Sequence, residues 1–247
     1  MRALTDSAAG LERERLNYLT RHVEFLVPYA ESWSLAFRLH QILQHAAELK
    51  KQEGGEKARQ KVATEGVPLW VKLAPLVREA ILDFQAIVST RNDLGTLASI
   101  HNKYERLALF RLRASMKEFL DELPPETEKL FDDVRRPDAN APMRVVVPTR
   151  PTILETGERV RIRAVAPGGN ATPHVTLYTR PAGANMWRAG EMKLVGRRTF
   201  EGQLDASSVS GSLLDYYVLA EFASGATKVL VTAPVGAPSR YYTLTLV

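Results

Sequence analysis

Three groups of side chains in this sequence have the types and spacing to bind something. Arg159, Arg161 and Arg163 alternate with Val160, Ile162 and Ala164. A period of two puts the three guanidinium groups on one face of a strand. There they suit bidentate hydrogen bonds to a carboxylate or uronic-acid group, or pairing with carboxylates on adjacent strands. Trp187, Tyr178, Tyr217 and Tyr241 form the second group; aromatic faces pack on the apolar C–H groups of a sugar ring. Trp187 stands beside the turn Pro181-Ala182-Gly183-Ala184, a place for an exposed platform or for a cap over a β core. The third group is a basic line, Lys103, Arg106, Arg113 and Lys117, interleaved with Glu105, Glu118 and Asp121. It reads as a solvated helix face or as a docking surface for an acidic partner.

Reaction machinery is not visible. His40 and His45 are five apart, whereas helical metal ligands share a face at three or four. His22, His101 and His174 stand alone. Glu79 and Asp83 are an i, i+4 carboxylate pair of the kind used in glycoside hydrolysis, but such a pair needs a cleft. No serine sits in a Gly-x-Ser-x-Gly elbow. Pro167-Gly168-Gly169-Asn170 lacks the lysine and following helix of a phosphate loop and reads as a hairpin turn. The sequence contains no cysteine, which excludes a disulfide framework and Cys-ligated metal. No catalytic residue, metal ligand or cofactor is assigned.

The elements that must position these groups change character near Arg135-Arg136-Pro137-Asp138-Ala139-Asn140-Ala141-Pro142. Apolar residues recur every three or four positions before this stretch and every two after it. The expected organisation is a helical bundle over 1–136, a linker over 137–142 and a β-sandwich over 143–247. In the first half Leu16, Leu19, Val23 and Leu26 share a helix face, and Tyr29, Trp33, Phe37, His40 and Leu43 resume it after Pro28. Pro28 predicts a kink or two helices in line, Gly66 and Pro68 a punctuation, and Pro75 a kink or a break near residues 72–74. Asp93 is the expected N-cap of a last long helix over 94–120, whose Leu97, Ile100, Tyr104, Leu107 and Phe110 lie along one side. Trp33 and Trp70 are expected in the core. Long helices with short links predict an antiparallel bundle.

Strands are expected over 143–147, 158–166, 174–180, 186–194, 198–204, 214–222, 228–232 and 241–247. Short strands at this spacing with Gly/Pro turns predict a sandwich, and Asp215-Tyr216-Tyr217-Val218 resembles a tyrosine corner.

Net charge is +5 over 247 residues. Residues 1–136 hold 21 basic and 20 acidic side chains, so the helical half is nearly neutral and no nucleic-acid partner is expected. No run of about 18 apolar residues exists, so no membrane span is expected. The N-terminus lacks the apolar core of a signal peptide, and helix-like sequence begins by Leu11, as in a fragment whose upstream part is missing. Localisation is left unassigned.

The β half resembles the fibronectin-III-like or Ig-like modules at the ends of bacterial multidomain glycoside hydrolases. The matching residues are 175–180, Met186-Trp187, Met192, 198–204, and 215–221 with Gly225. Tyr18, Phe25-Leu26-Val27-Pro28-Tyr29 and Trp33 are similar to the helical segment that follows the catalytic barrel in such enzymes. The resemblance implies a mixed α+β, two-domain, non-catalytic C-terminal region of a carbohydrate-active enzyme. Its helices would brace an upstream catalytic domain, and its sandwich would be a spacer or weak glycan binder through Trp187, Tyr178, Arg159, Arg161 and Arg163. It also implies an extracellular or periplasmic location if the parent is a secreted hydrolase. Two alternatives stay open: a stand-alone protein–protein interaction module, and a small hydrolase with a site between the halves.

Overall fold

The computed structural model describes residues 10–136, 141–155, 157–205, 212–224 and 227–247. Most of the expected linker (137–140) and Gly225 lie outside them. The chain is mixed α+β and divides into two compact units, Met1–Ile87 with Thr96–Arg136, and Val88–Gly95 with Pro137–Val247.

The helical unit begins with α1 (Gly10–Gln52), which runs unbroken through Pro28. The ring removes one bond from the ladder at a cost of about 3 kcal/mol. A continuous buried row on this helix, Phe25, Ser32, Ala36, Leu39, Leu43 and Ala46, outweighs that cost. Next come α2 (Gly55–Lys61), a π-helical turn (Val62–Gly66) and α3 (Val67–Ile87). The punctuation expected at Gly66 is not there. Gly66 lies buried against Leu39, with room for an added Cβ in ordinary contact at 3.4 Å from Leu39 Cδ1. The break expected before Pro75 is also missing, because Trp70, Leu73, Ala74, Val77, Ala80 and Phe84 bury one face across it.

α4 (Arg91–Ser99) leads into a long π-helix (Ile100–Arg111), then α5 (Leu112–Lys117) and α6 (Pro125–Arg135). The N-cap is Thr90, not Asp93. Thr90 Oγ accepts from the Asp93 N–H at 3.2 Å, and the Asp93 carboxylate accepts from the Thr90 and Ser89 N–H groups at 2.9 Å each. This is a reciprocal capping box. Burial opposes ionisation of Asp93, but the hydrogen bonds from Ser89 and Thr90 outweigh it and hold the carboxyl below its usual range.

In the β unit, Val146 bridges Val165, so residues 143–147 supply one bridge and buried side chains rather than a full strand. The strands are β1 (Ile153–Leu154), β2 (Arg159–Val165), β3 (His174–Pro181), β4 (Arg188–Glu191), β5 (Lys193–Gly196), β6 (Thr199–Asp205), β7 (Leu213–Ser224), β8 (Thr227–Ala233) and β9 (Tyr242–Leu246). One sheet runs β1-β9-β7-β3-β4 with β8 also on β7, and the other runs β2-β6-β5. All these pairs are antiparallel except β1–β9. The single strand expected over 186–194 is two, divided between the sheets on either side of buried Met192. Ile162, Phe200 and Leu204 of one sheet share a buried cluster with Val175, Leu177, Tyr216, Val218 and Phe222 of the other. The buried Tyr216 hydroxyl finds no hydrogen-bond partner among the described residues.

Candidate functional site

Strand register assembles the aromatic group. β3 pairs with β7 so that Tyr178 lies opposite Tyr217 and Arg180 opposite Asp215. The two tyrosine rings stack with centroids 4.7 Å apart and planes 3° apart. Trp187 meets Tyr217 edge-on at 4.8 Å, and Tyr241 meets Trp187 at 5.8 Å. The Arg180 guanidinium lies 4.2 Å from the Trp187 ring and 4.8 Å from Tyr241. It also donates to Asp215 Oδ2 at 3.3 Å and to the Ala184 carbonyl at 3.0 Å. Asp215 is 2% exposed and takes a further bond from Thr243 at 2.8 Å. Burial, then the neighbouring Tyr178, pushes the Tyr217 phenol up. The cluster is thus locked largely by its own contacts, with Tyr241 at its exposed edge.

Arg159, Arg161 and Arg163 do not join it. They lie on β2 of the three-stranded sheet, whereas Tyr178 lies on β3 of the six-stranded one. Glu201 takes Arg163 at 3.1 Å and Arg161 at 3.6 Å, and Arg159 lies opposite Asp205 in register. The two arginines bound to Glu201 are well exposed, so this pairing contributes about 1 kcal/mol or less. Spacing within one strand does not place Arg180 and Asp215 in this cluster. The signal was present in two period-two pairs, Tyr178-x-Arg180 and Asp215-x-Tyr217, which antiparallel register brings face to face.

The helical unit presents a different surface. Most of the apolar row expected on one face of α1 is exposed: Leu19 is 55% exposed, Leu26 52% and Phe37 61%, with Val23 and Trp33 also exposed, while Leu43 at its end is buried. Trp33 is therefore not a core residue, while Trp70 is fully buried. α1 carries two apolar rows on different faces, and the row with small residues packs inward. Ser32 shows why. Its hydroxyl donates to the Tyr29 carbonyl at 2.7 Å, so the Tyr104 hydroxyl donates to Ser32 Oγ across the interface with the π-helix. Burial pushes the Tyr104 phenol up to about 12, with the Ser32 bond opposing it.

The π-helix resets which side chains are buried. Its i→i+5 bonds bring residues four and five apart onto one face. Ile100, Tyr104, Ala108, Leu109 and Leu112 are buried, while Leu107 and Phe110 turn outward. A groove of about 390 Å³ opens between α1 and the π-helix, walled by Trp33, Phe37, Leu107 and Arg111. A second hollow of about 600 Å³, along Lys103, Arg106, Leu107, Phe110 and Arg111, adjoins it through Leu107 and Arg111.

The basic line separates into two parts. Glu128 takes Arg113 through Nε at 3.0 Å and Lys117 at 2.7 Å. Burial would raise the Glu128 carboxyl, but Lys117 and Arg113 outweigh this and lower it. Lys103 and Arg106 of the line, and Arg111 beside them, are exposed and make no ion pair among the described residues.

Glu79 and Asp83 line a third hollow of about 420 Å³ on α3. Burial, then the Glu79 and Glu24 carboxylates, pushes Asp83 up. Arg78 in the same hollow caps α6 by donating to the carbonyls of Asp133 and Val134 at 2.9 Å each. Among the described residues no group of three or more His, Asp or Glu side chains gathers to hold a metal ion. No helix among them is long and apolar enough to cross a membrane.

No family model and no curated protein matches the sequence. Among solved structures, an engineered protein is similar at 16% identity and a TM-score of 0.31, over 44% of this chain and 21% of that one. The endo-β-1,4-mannanase from Thermotoga petrophila is similar at 10% identity and a TM-score of 0.30, over 87% of this chain and 62% of that one. The chain spans less than two thirds of the length of either. Likeness at this level carries neither fold nor function to the present chain.

Proposed function

We propose that the chain is a non-catalytic binding protein whose helical unit docks against another polypeptide through the outward face of α1. One observation carries this reading: Leu19, Val23, Leu26, Ala30, Trp33 and Phe37 form an exposed row in steps of four and three, opening at Trp33 and Phe37 into an apolar groove. A contiguous exposed apolar patch on a folded unit marks an interaction surface. The finer form of the reading is an accessory region of a carbohydrate-active enzyme. In it, α1 braces a catalytic domain, and the β unit, with its two sheets facing as a fibronectin-III-like or Ig-like sandwich, is a spacer.

The test is a photo-crosslinking amino acid placed at Phe37 in the source cells. Docking expects one dominant adduct whose polypeptide binds the purified chain and fails to bind Phe37→Asp. No adduct, or an adduct only within the chain itself, refutes it. A glycoside hydrolase domain as the adduct supports the finer form.

A second reading, weak glycan binding by the β unit, draws on the convergence of Trp187, Tyr178, Tyr217 and Tyr241 on one face. It expects retardation in native gels cast with soluble polysaccharide, lost in Tyr241→Ala. Unretarded migration on all polysaccharides tried removes it.

A further inference from the structure

The outward face of α1 is specific enough to name its occupant. We infer that it takes one amphipathic α-helix of a partner polypeptide, apolar on one side and acidic along the flank that meets the π-helix. This rests on the docking reading above and gives its chemistry.

Periodicity selects a helix. Steps of four and three are the a/d seam of helix-on-helix packing, which a second helix matches knob into hole and a period-two strand does not. The row from Leu19 to Phe37 covers about five turns, or ~27 Å of axis. It matches a partner helix of roughly 20 residues. The π-helix supplies the second wall. Its wide turns place Leu107 beside Trp33 and Phe37 around a groove of about 390 Å³, room for large apolar knobs from the partner.

Charge selects the flank. From Leu16 to Phe37 the row itself carries no charge. Along the π-helix wall, Lys103, Arg106 and Arg111 stand exposed without an ion pair among the described residues, whereas Arg113 and Lys117 are satisfied by Glu128. Carboxylates on the flank of a docked helix would complete those three cations. A second copy of this chain would not. The positions beside its own row are His22, Tyr29 and Ala36 on one side and Thr20, Val27 and Ser34 on the other, none of them acidic. In paired helices these flanking positions set partner choice.

The probes are two synthetic helical peptides of about 21 residues. They share one Leu-rich a/d face, and one carries Glu and the other Lys at the flanking positions. Binding of each to the full chain is read by fluorescence anisotropy at low and high salt. The Glu peptide is expected to bind about tenfold more tightly at low salt, the combined effect of three partly exposed charge pairs. The preference should shrink at high salt. Phe37→Asp should weaken both peptides, and the double variant Arg106→Glu, Arg111→Glu should invert the preference while leaving the melting temperature unchanged. Equal affinities, a preference for the Lys peptide, or no binding of either overturns the inference. So does a dimer in sedimentation that Phe37→Asp dissolves, because the occupant is then a second copy. If the peptides fail but the Phe37 crosslink yields a partner, the helix inference falls and docking stands. If the crosslink also fails, both fall.

Discussion

Truncating one residue from each apolar row of α1 separates a docking face from a folding core. Leu39 lies on the inward row with none of its surface exposed. Leu39→Ala loses transfer energy and opens a cavity against α3 and Gly66, about 2–5 kcal/mol. Phe37, two residues away, is 61% exposed and so buries 39% of its surface. Full burial of such a side chain contributes about 1.5–3 kcal/mol, so its truncation costs about 1 kcal/mol or less, with no cavity term. The assay is urea unfolding of each variant followed by far-UV circular dichroism, which reports the helices. Leu39→Ala should lower the midpoint by several times as much as Phe37→Ala, with the slope unchanged. A Phe37→Ala cost above about 2 kcal/mol would refute the reasoning, because the outer row would then belong to the core.

Four further outcomes follow from the same structure. Thr90→Ala should cost about 1 kcal/mol by thermal melting. Because Asp93 is held below the usual carboxylate range, its stabilisation is present above the ordinary Asp pKa and is lost as pH falls through the lower folded value; Asp93→Asn should flatten that acid limb. Asp215→Ala leaves Arg180 without its buried carboxylate and should cost about 3 kcal/mol or more, together with a change in Trp187 fluorescence; a neutral effect would show that the pair is not structural. Gly168→Ala should destabilise the β unit by on the order of 3 kcal/mol. The residue sits at φ 94, and an added Cβ would lie 2.3 Å from the Pro142 carbonyl oxygen. A wild-type melting temperature would contradict that placement.

The change of apolar period from three or four to two was sufficient to read helices followed by antiparallel-rich sheets, and the alternation around Arg159–Ala164 located β2. The choice of inward face on α1 was not legible. Both rows repeat at helical spacing, and the larger, more apolar one faces out because Ser32 and Ala36 permit the close approach that Trp33 and Phe37 would block. Nor does spacing distinguish an α-helix from the π-helix at Ile100–Arg111, which turns Leu107 and Phe110 outward. Thr90-x-x-Asp93 has the spacing of a capping box, with Thr90 rather than Asp93 at the N-cap. In the β unit Trp187, Tyr178, Tyr217 and Tyr241 share aromatic chemistry in the sequence, and strand register brings their rings together. Arg159, Arg161 and Arg163 were grouped with them by chemistry alone, and the sheet order separates them. The role of Arg180 comes from cross-strand register with Asp215, which periodicity within one strand does not specify.

The most direct measurement uses the absence of cysteine from the sequence. Single cysteines are introduced at Leu19, Val23, Leu26, Ala30, Trp33 and Phe37, and at the exposed controls Glu31 and Arg38 of the same helix, and maleimide labelling rates are compared between the purified chain and intact source cells. Docking through α1 expects fast labelling at all positions in the purified chain and, in cells, protection of the six row positions with Glu31 and Arg38 still reactive. Equal labelling of row and controls in cells would contradict it.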